Sequence, residues 1–104
     1  MRLRTPLTEL VGIEHPVVQT GMGWVAGARL VAATSNAGGL GILASATMTI
    51  DELATAVTKV KAATDKPFGI NMRADAGDAA ARCDLLIREG VKVASFALAP
   101  KPEL

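Results

Sequence analysis

The spacing of the extended segments constrains this chain more than any single motif. Apolar runs suited to strands start near residues 16, 40, 68 and 91, at intervals of 24, 28 and 23 residues, with a helical pattern in each gap. That rhythm requires parallel strands joined by right-handed crossovers. The fold class that follows is α/β. A closed (β/α)8 barrel takes roughly 200 residues or more, so four βα units make the first half of one. A parallel sheet stopping at its fourth strand would leave an edge and an apolar face bare, and Pro100-Lys101-Pro102-Glu103-Leu104 adds no covering helix. We therefore expect residues 1–104 to be the amino-terminal half of one barrel domain, with the remainder in the same polypeptide. Residues 1–15 would form a lead-in that caps the barrel bottom.

Local signals agree with this order. Thr5 and Pro6 suit the start of a short helical turn, and Gly12 its stop. Leu30, Val31 and Ala33 sit at helical spacing between Gly27 and Asn36, ahead of a second strand over residues 40–44. Thr49-Ile50-Asp51-Glu52 is a capping box, and Ile50, Leu53, Val57 and Val60 then recur at three- and four-residue steps as one apolar stripe. A third strand covers residues 68–72. Asp78 is placed to cap a third full helix whose buried side would carry Ala80, Cys83, Leu86 and Ile87, ended by Gly90. Residues 91–97 form the fourth strand.

Charge and composition remove several function classes. Eleven basic and ten acidic residues are dispersed over the chain for a net charge of +1, so no basic stripe selects nucleic acid or an anionic membrane. The apolar runs are too short to span a bilayer, and the basic start Met1-Arg2-Leu3-Arg4 lacks the apolar core of a secretory signal. A single cysteine, Cys83, forms no internal disulfide, which fits a reducing compartment and makes the cytoplasm the expected location. One Cys and one His make no metal set, and no Gly-x-Ser-x-Gly elbow is present.

The first strand ends in Gly21-Met22-Gly23, where the missing side chains expose backbone amides to a ligand. Gly21-x-Gly23-x-x-Ala26 also satisfies the dinucleotide fingerprint. That fold places an acid at the end of the second strand, about twenty residues on. Here Ala44-Ser45-Ala46-Thr47 follows, with no carboxylate before Asp51, which argues against a Rossmann unit.

Three motifs carry a resemblance. The segment from Gly12 to Met22, Ser35-Asn36-Ala37-Gly38-Gly39-Leu40-Gly41, and Thr64-Asp65-Lys66-Pro67-Phe68-Gly69-Ile70-Asn71 together resemble the nitronate monooxygenase family, formerly called 2-nitropropane dioxygenases. The resemblance implies a flavin-dependent TIM barrel that holds FMN at the carboxyl ends of its strands. It implies cofactor-binding roles for Gly21, Met22, Gly23 and Asn71, and for Arg73, where an arginine departs from the smaller or uncharged residue common in the family. An arginine there would meet an anionic substrate or the cofactor phosphate. The implied activity is oxidation of nitronates or similar carbanion-like substrates with O2. Relatives within the superfamily reduce quinones or enoyl thioesters with a nicotinamide donor, and one branch dehydrogenates CoA thioesters of sterol ring breakdown. A homodimer is among the implied assemblies. The family's catalytic histidine is expected beyond Leu104, so no catalytic residue is assigned within the chain.

Each of these positions also has a plainer reading. Gly21 and Gly23 serve a strand-to-helix turn as well as a ligand, and Met22 suits a core as well as a flavin ring. Trp24 either lines a substrate pocket or clamps its loop against the following helix. Asn71 either contacts a ligand or caps a loop. Gly38, Gly39 and Gly41 read as packing glycines, and Cys83 as a small buried hydrophobe. His15 precedes the first strand, which places it at the barrel bottom, away from catalytic groups. The alternative from another class is a non-catalytic half-barrel that works as an assembly module.

Overall fold

The computed structural model describes residues 3–104; Met1 and Arg2, where the expected lead-in begins, lie outside the described residues. Four helices and four strands alternate along the chain: α1 (Pro6–Val11), β1 (Val18–Gln19), α2 (Ala28–Asn36), β2 (Leu40–Ala44), α3 (Ile50–Ala63), β3 (Phe68–Arg73), α4 (Ala79–Arg88) and β4 (Val93–Ala97). The strands are parallel and lie side by side in chain order. A Rossmann sheet sets its fourth strand beside its first, whereas β4 here pairs with β3, so the dinucleotide reading of the glycine turn falls on topology.

The expected capping box at Thr49 forms, and Thr5 makes a second one with Thr8. In α1 the Thr8 amide donates to Thr5 Oγ1 at 3.2 Å and the Thr5 amide to Thr8 Oγ1 at 2.8 Å. In α3 the Glu52 amide donates to Thr49 Oγ1 at 3.1 Å, and the Thr49 amide donates to Glu52 Oε1 at 2.9 Å. The amide of Thr49 holds the Glu52 carboxyl below its ordinary value.

The pleat divides the sheet into two unlike faces. On the outer face Leu43, Ile70 and Met72 pack beneath Val31 of α2, Leu53, Val57 and Val60 of α3, and Cys83 and Leu86 of α4. On the inner face Leu40 and Ile42 meet Val11 and Ile13, so α1 and the turn after it close the lower end. Further along the same face the register places Asn71 beside Ser95, and the lining turns polar.

Several expected elements differ in detail. The first strand is two residues long, and Val17 and Val18 are exposed. Beyond Gln19 the main chain leaves the sheet, and the Gln19 side chain supplies the next rung, Nε2 donating to Ile42 O at 3.0 Å. On α2 the buried residues are Val31, Ala32 and Ser35, with Leu30 and Ala33 exposed. The helix backbone sits directly on Gly41, which selects small residues for the contact face. On α4 the expected buried residues Ala80 and Ile87 are exposed, Ile87 by 76%. Cys83 and Leu86 are buried as expected, and Ala79, Arg82 and Leu85 are buried with them. Asp78 makes no side-chain cap and pairs with Arg82. β4 starts at Val93, since the Val91 amide still donates to Leu86 O at 2.9 Å in the turn leaving α4.

Candidate functional site

The carboxyl ends of β1, β2 and β3 converge. After Gln19 the β1–α2 loop runs inward over the sheet. A Cβ built on Gly21 would stand 2.5 Å from Asn71 Cβ, and one on Gly23 would stand 3.2 Å from Thr47 Cγ2. The expected reason for a bare Gly21, room for a ligand, is thus incomplete. The nearest obstacle to a side chain there is Asn71 itself. The loop is held from within by the Val25 and Ala26 amides, which donate to Met22 O at 3.0 and 2.8 Å, and from below by the Ala44 amide on Ala26 O at 3.1 Å. Among the described residues no backbone carbonyl accepts from the amides of Gly21, Met22, Gly23 or Trp24. These four consecutive peptide N–H groups thus have no backbone acceptor among the described residues.

Met22 is exposed and takes no part in the core. Trp24 is 89% exposed with φ +67°, a conformation bulky residues seldom adopt. A cleft of about 260 Å³ lies beside it, lined in part by Val25, Thr47, Met48 and Glu52. The indole therefore stands away from the helices and does not clamp the loop.

Asn71 is half-buried and held on two sides. Its carbonyl accepts the Ser45 amide at 3.0 Å and Ser45 Oγ at 2.8 Å. Its Nδ2 donates to Ser95 Oγ at 3.1 Å. The side chain is thereby locked with Oδ1 free of protein donors among the described residues. Arg73 lies two residues on, exposed, with Nε and Nη2 each 2.9 Å from the two oxygens of Asp75. Hydrogen bonding and charge from Arg73 hold the Asp75 carboxyl below its ordinary value, and the same pairing raises Arg73.

The geometry brings Gly21 and Asn71 together, sets Gly23 against Thr47, and leaves Met22, Trp24 and Arg73 exposed. His15 lies at the opposite end, where its amide donates to Gly38 O at 2.9 Å. Cys83 is buried beside Met72, and desolvation, with the Asp84 charge, pushes its thiol up. Among the described residues no cluster of three or more His, Cys, Asp and Glu side chains could hold a metal, and no helix is long and apolar enough to cross a membrane.

Sequence reasoning missed Ser45, Ser95, Arg82 and Leu98. Leu98, just past β4, is exposed with φ +72°, a second bulky residue in the left-handed region at a strand tip. Nothing local marks Ser95, Arg82 or Leu98. Ser45 did carry a signal, a polar residue directly after the fully buried strand Leu40–Ala44.

Four parallel βα units in sheet order, with a Gly-Met-Gly loop after the first strand, define a segment of a βα barrel. The chain belongs to the nitronate monooxygenase family, whose sequence model, described as nitronate monooxygenase, matches residues 4–94. It is 83% identical over all 104 residues to a Mycobacterium tuberculosis protein named (3aS,4S,5R,7aS)-5-hydroxy-7a-methyl-1-oxo-octahydro-1H-indene-4-carboxyl-CoA dehydrogenase, and spans 29% of that protein. It is 42% identical over 66 residues, 64% of this chain and 18% of the relative, to a nitronate monooxygenase of Paraburkholderia phytofirmans. Among solved structures, FabK from Thermotoga maritima superimposes with a TM-score of 0.89 at 40% identity, covering 93% of this chain and 31% of that one. The four units thus occupy the place of the first half of a TIM barrel.

Proposed function

We propose that this chain is the first part of an FMN-dependent oxidoreductase that removes hydrogen from a fused-ring CoA thioester. The observation that carries this reading is the depth of similarity. Identity to the protein named as a CoA-thioester dehydrogenase is 83% and runs the whole length, whereas identity to the nitronate monooxygenase is 42% over 66 residues.

The residues present suit a flavin. Its ring carries acceptors and an N–H donor along one edge, and the rim offers amides from Gly21 to Trp24 as donors and Asn71 Oδ1 as an acceptor. Gly21 and Gly23 leave the backbone bare, and Met22 offers a polarizable side chain to a ring. A bound flavin supplies a two-electron acceptor for the hydrogen taken from substrate. Trp24 and Leu98 present apolar surface on the open side, suited to a methylated bicyclic ring system. Arg73 would meet an anionic phosphate, of cofactor or of coenzyme A, in competition with Asp75. The catalytic base lies outside residues 1–104 in this reading, and the enzyme works in the cytoplasm.

A second reading, oxidation of a nitronate with O2, is favoured by the family match over residues 4–94 and uses the same rim. The test is direct. The full-length protein should be yellow and release FMN on denaturation. Under anaerobic conditions its visible band should bleach with a hydroxylated bicyclic CoA thioester. Bleaching by an alkyl nitronate alone would move the assignment to the second reading, and a colourless protein would favour the non-catalytic half-barrel.

A further inference from the structure

Among the described residues Arg82 is the one buried cation. It lies on α4 with only 7% of its surface exposed, at a position that apolar patterning would assign to solvent. All three guanidinium nitrogens are engaged. Nε donates to Asp78 Oδ1 at 3.0 Å, Nη1 to Ser45 O at 2.6 Å and Nη2 to Met48 O at 2.6 Å. The fork therefore grips both ends of the four-residue turn from Ser45 to Met48, which the Met48 amide closes onto Ser45 O at 3.0 Å.

That turn touches the candidate site twice. Ser45 donates two hydrogen bonds to Asn71 O, and the methyl of Thr47 backs Gly23. Asn71 in turn abuts Gly21 and reaches Ser95 on β4. A continuous set of contacts thus runs from α4 through the β2–α3 turn to the bare loop after β1. We propose that Arg82 is a positioning residue for the flavin rim. It touches no ligand and acts by holding Ser45 and Thr47 where they fix Asn71 and the Gly21–Gly23 loop. This rests on the flavin reading above.

Charge pairing alone does not explain the arrangement, because the Asp78 side chain is 42% exposed and such pairs contribute little. The two carbonyl bonds need a planar fork at this depth. A lysine ammonium does not reproduce the planar fork, and an apolar side chain leaves Met48 O without its Arg82 donor and Ser45 O with the Met48 amide alone.

The experiment uses the full-length protein and three variants, Arg82→Met, Arg82→Lys and Val60→Ala. Val60 is buried in the helix-side core and serves as a control for general destabilisation. Two readouts are taken. Backbone hydrogen exchange should speed up in Arg82→Met over residues 45–48 and 20–24 ahead of the rest of the sheet, whether or not a flavin is bound. Flavin dissociation should strengthen by about ten- to hundredfold in Arg82→Met, as loss of charged hydrogen bonds implies, with partial recovery in Arg82→Lys. Val60→Ala should raise exchange evenly and leave flavin affinity within about twofold. If Arg82→Met exchanges evenly, like the control, the positioning role is wrong. If exchange rises locally and flavin affinity stays at the wild-type level, the clamp exists but does not serve the rim, and the proposal is again overturned. A wild-type protein that binds no flavin defeats the underlying reading instead, and the exchange pattern tells the two failures apart.

Discussion

Two groups of glycines look alike in the sequence and do opposite work in the fold. Gly38, Gly39 and Gly41 lie at the lower end, between α2 and β2. There a side chain on Gly41 would run into the main chain of Val31, with its Cα at 2.9 Å, and one on Gly39 would stand 2.9 Å from Val17 O. Backbone cannot step aside, so Gly41 is set by how closely α2 lies on β2 and Gly39 by the Val17 carbonyl, while Gly38, at φ +102°, meets the side chains of His15 and Glu14. Gly21 and Gly23 lie at the upper end, where the obstacles are the Asn71 side chain and the Thr47 methyl. Side chains at a half-open rim can move, at the cost of the arrangement they hold. The lower group is therefore about stability, and the upper group about the shape of the rim.

Substitution in each group separates these roles. The largest effect is expected from Gly41→Ala in the full-length protein, a loss of about 3 kcal/mol or more in urea unfolding, as for overpacking against unyielding atoms. A loss below about 0.5 kcal/mol would mean that α2 has room to retreat from β2. Gly21→Ala comes next, with about 1–2 kcal/mol lost and flavin retention weakened by about tenfold or more as Asn71 is displaced. Asn71→Gly in the same chain should recover stability and leave retention poor, so recovery of both would show that Asn71 has no part in binding. His15→Ala is smaller. The ring sits 2.8 Å from where a Gly38 side chain would begin, in the lower group, so about 0.5–1 kcal/mol of stability should go while turnover per bound flavin holds. A selective collapse of turnover would place His15 in the chemistry.

The smallest effect concerns acid. The folded Glu52 carboxyl titrates below its ordinary value, so its capping contribution is complete above the unfolded value of 4.5 and is lost as pH falls through the lowered folded one. Glu52→Gln should flatten the acid limb of the stability curve slightly. An unchanged limb would show that the Thr49 amide contributes nothing measurable.

Much of the scaffold was legible because its signals are local. Thr5 and Thr49 act within three residues of themselves, and the stripe of Leu53, Val57 and Val60 needs only helical period to be seen. The resemblance of residues 12–71 to a flavin family likewise rests on contiguous motifs, and the family match covers them. Arg82 was not legible. Composition assigns a lone arginine to solvent, and only the fold brings two spare carbonyls from a turn 34 to 37 residues earlier to meet it. On α4 the reading held for Cys83 and Leu86 and failed for Ala80 and Ile87.

By itself, then, the sequence determined the alternation of strand and helix, the caps, and the apolar stripe of α3, since each depends on neighbours a few bonds away. Only the tertiary structure decided that β1 stops at Gln19, that Trp24 and Leu98 stand out in left-handed backbone, and that Gly21 is bare because of Asn71. Those features depend on atoms that are remote in the chain and meet only once parallel strands set their tips side by side.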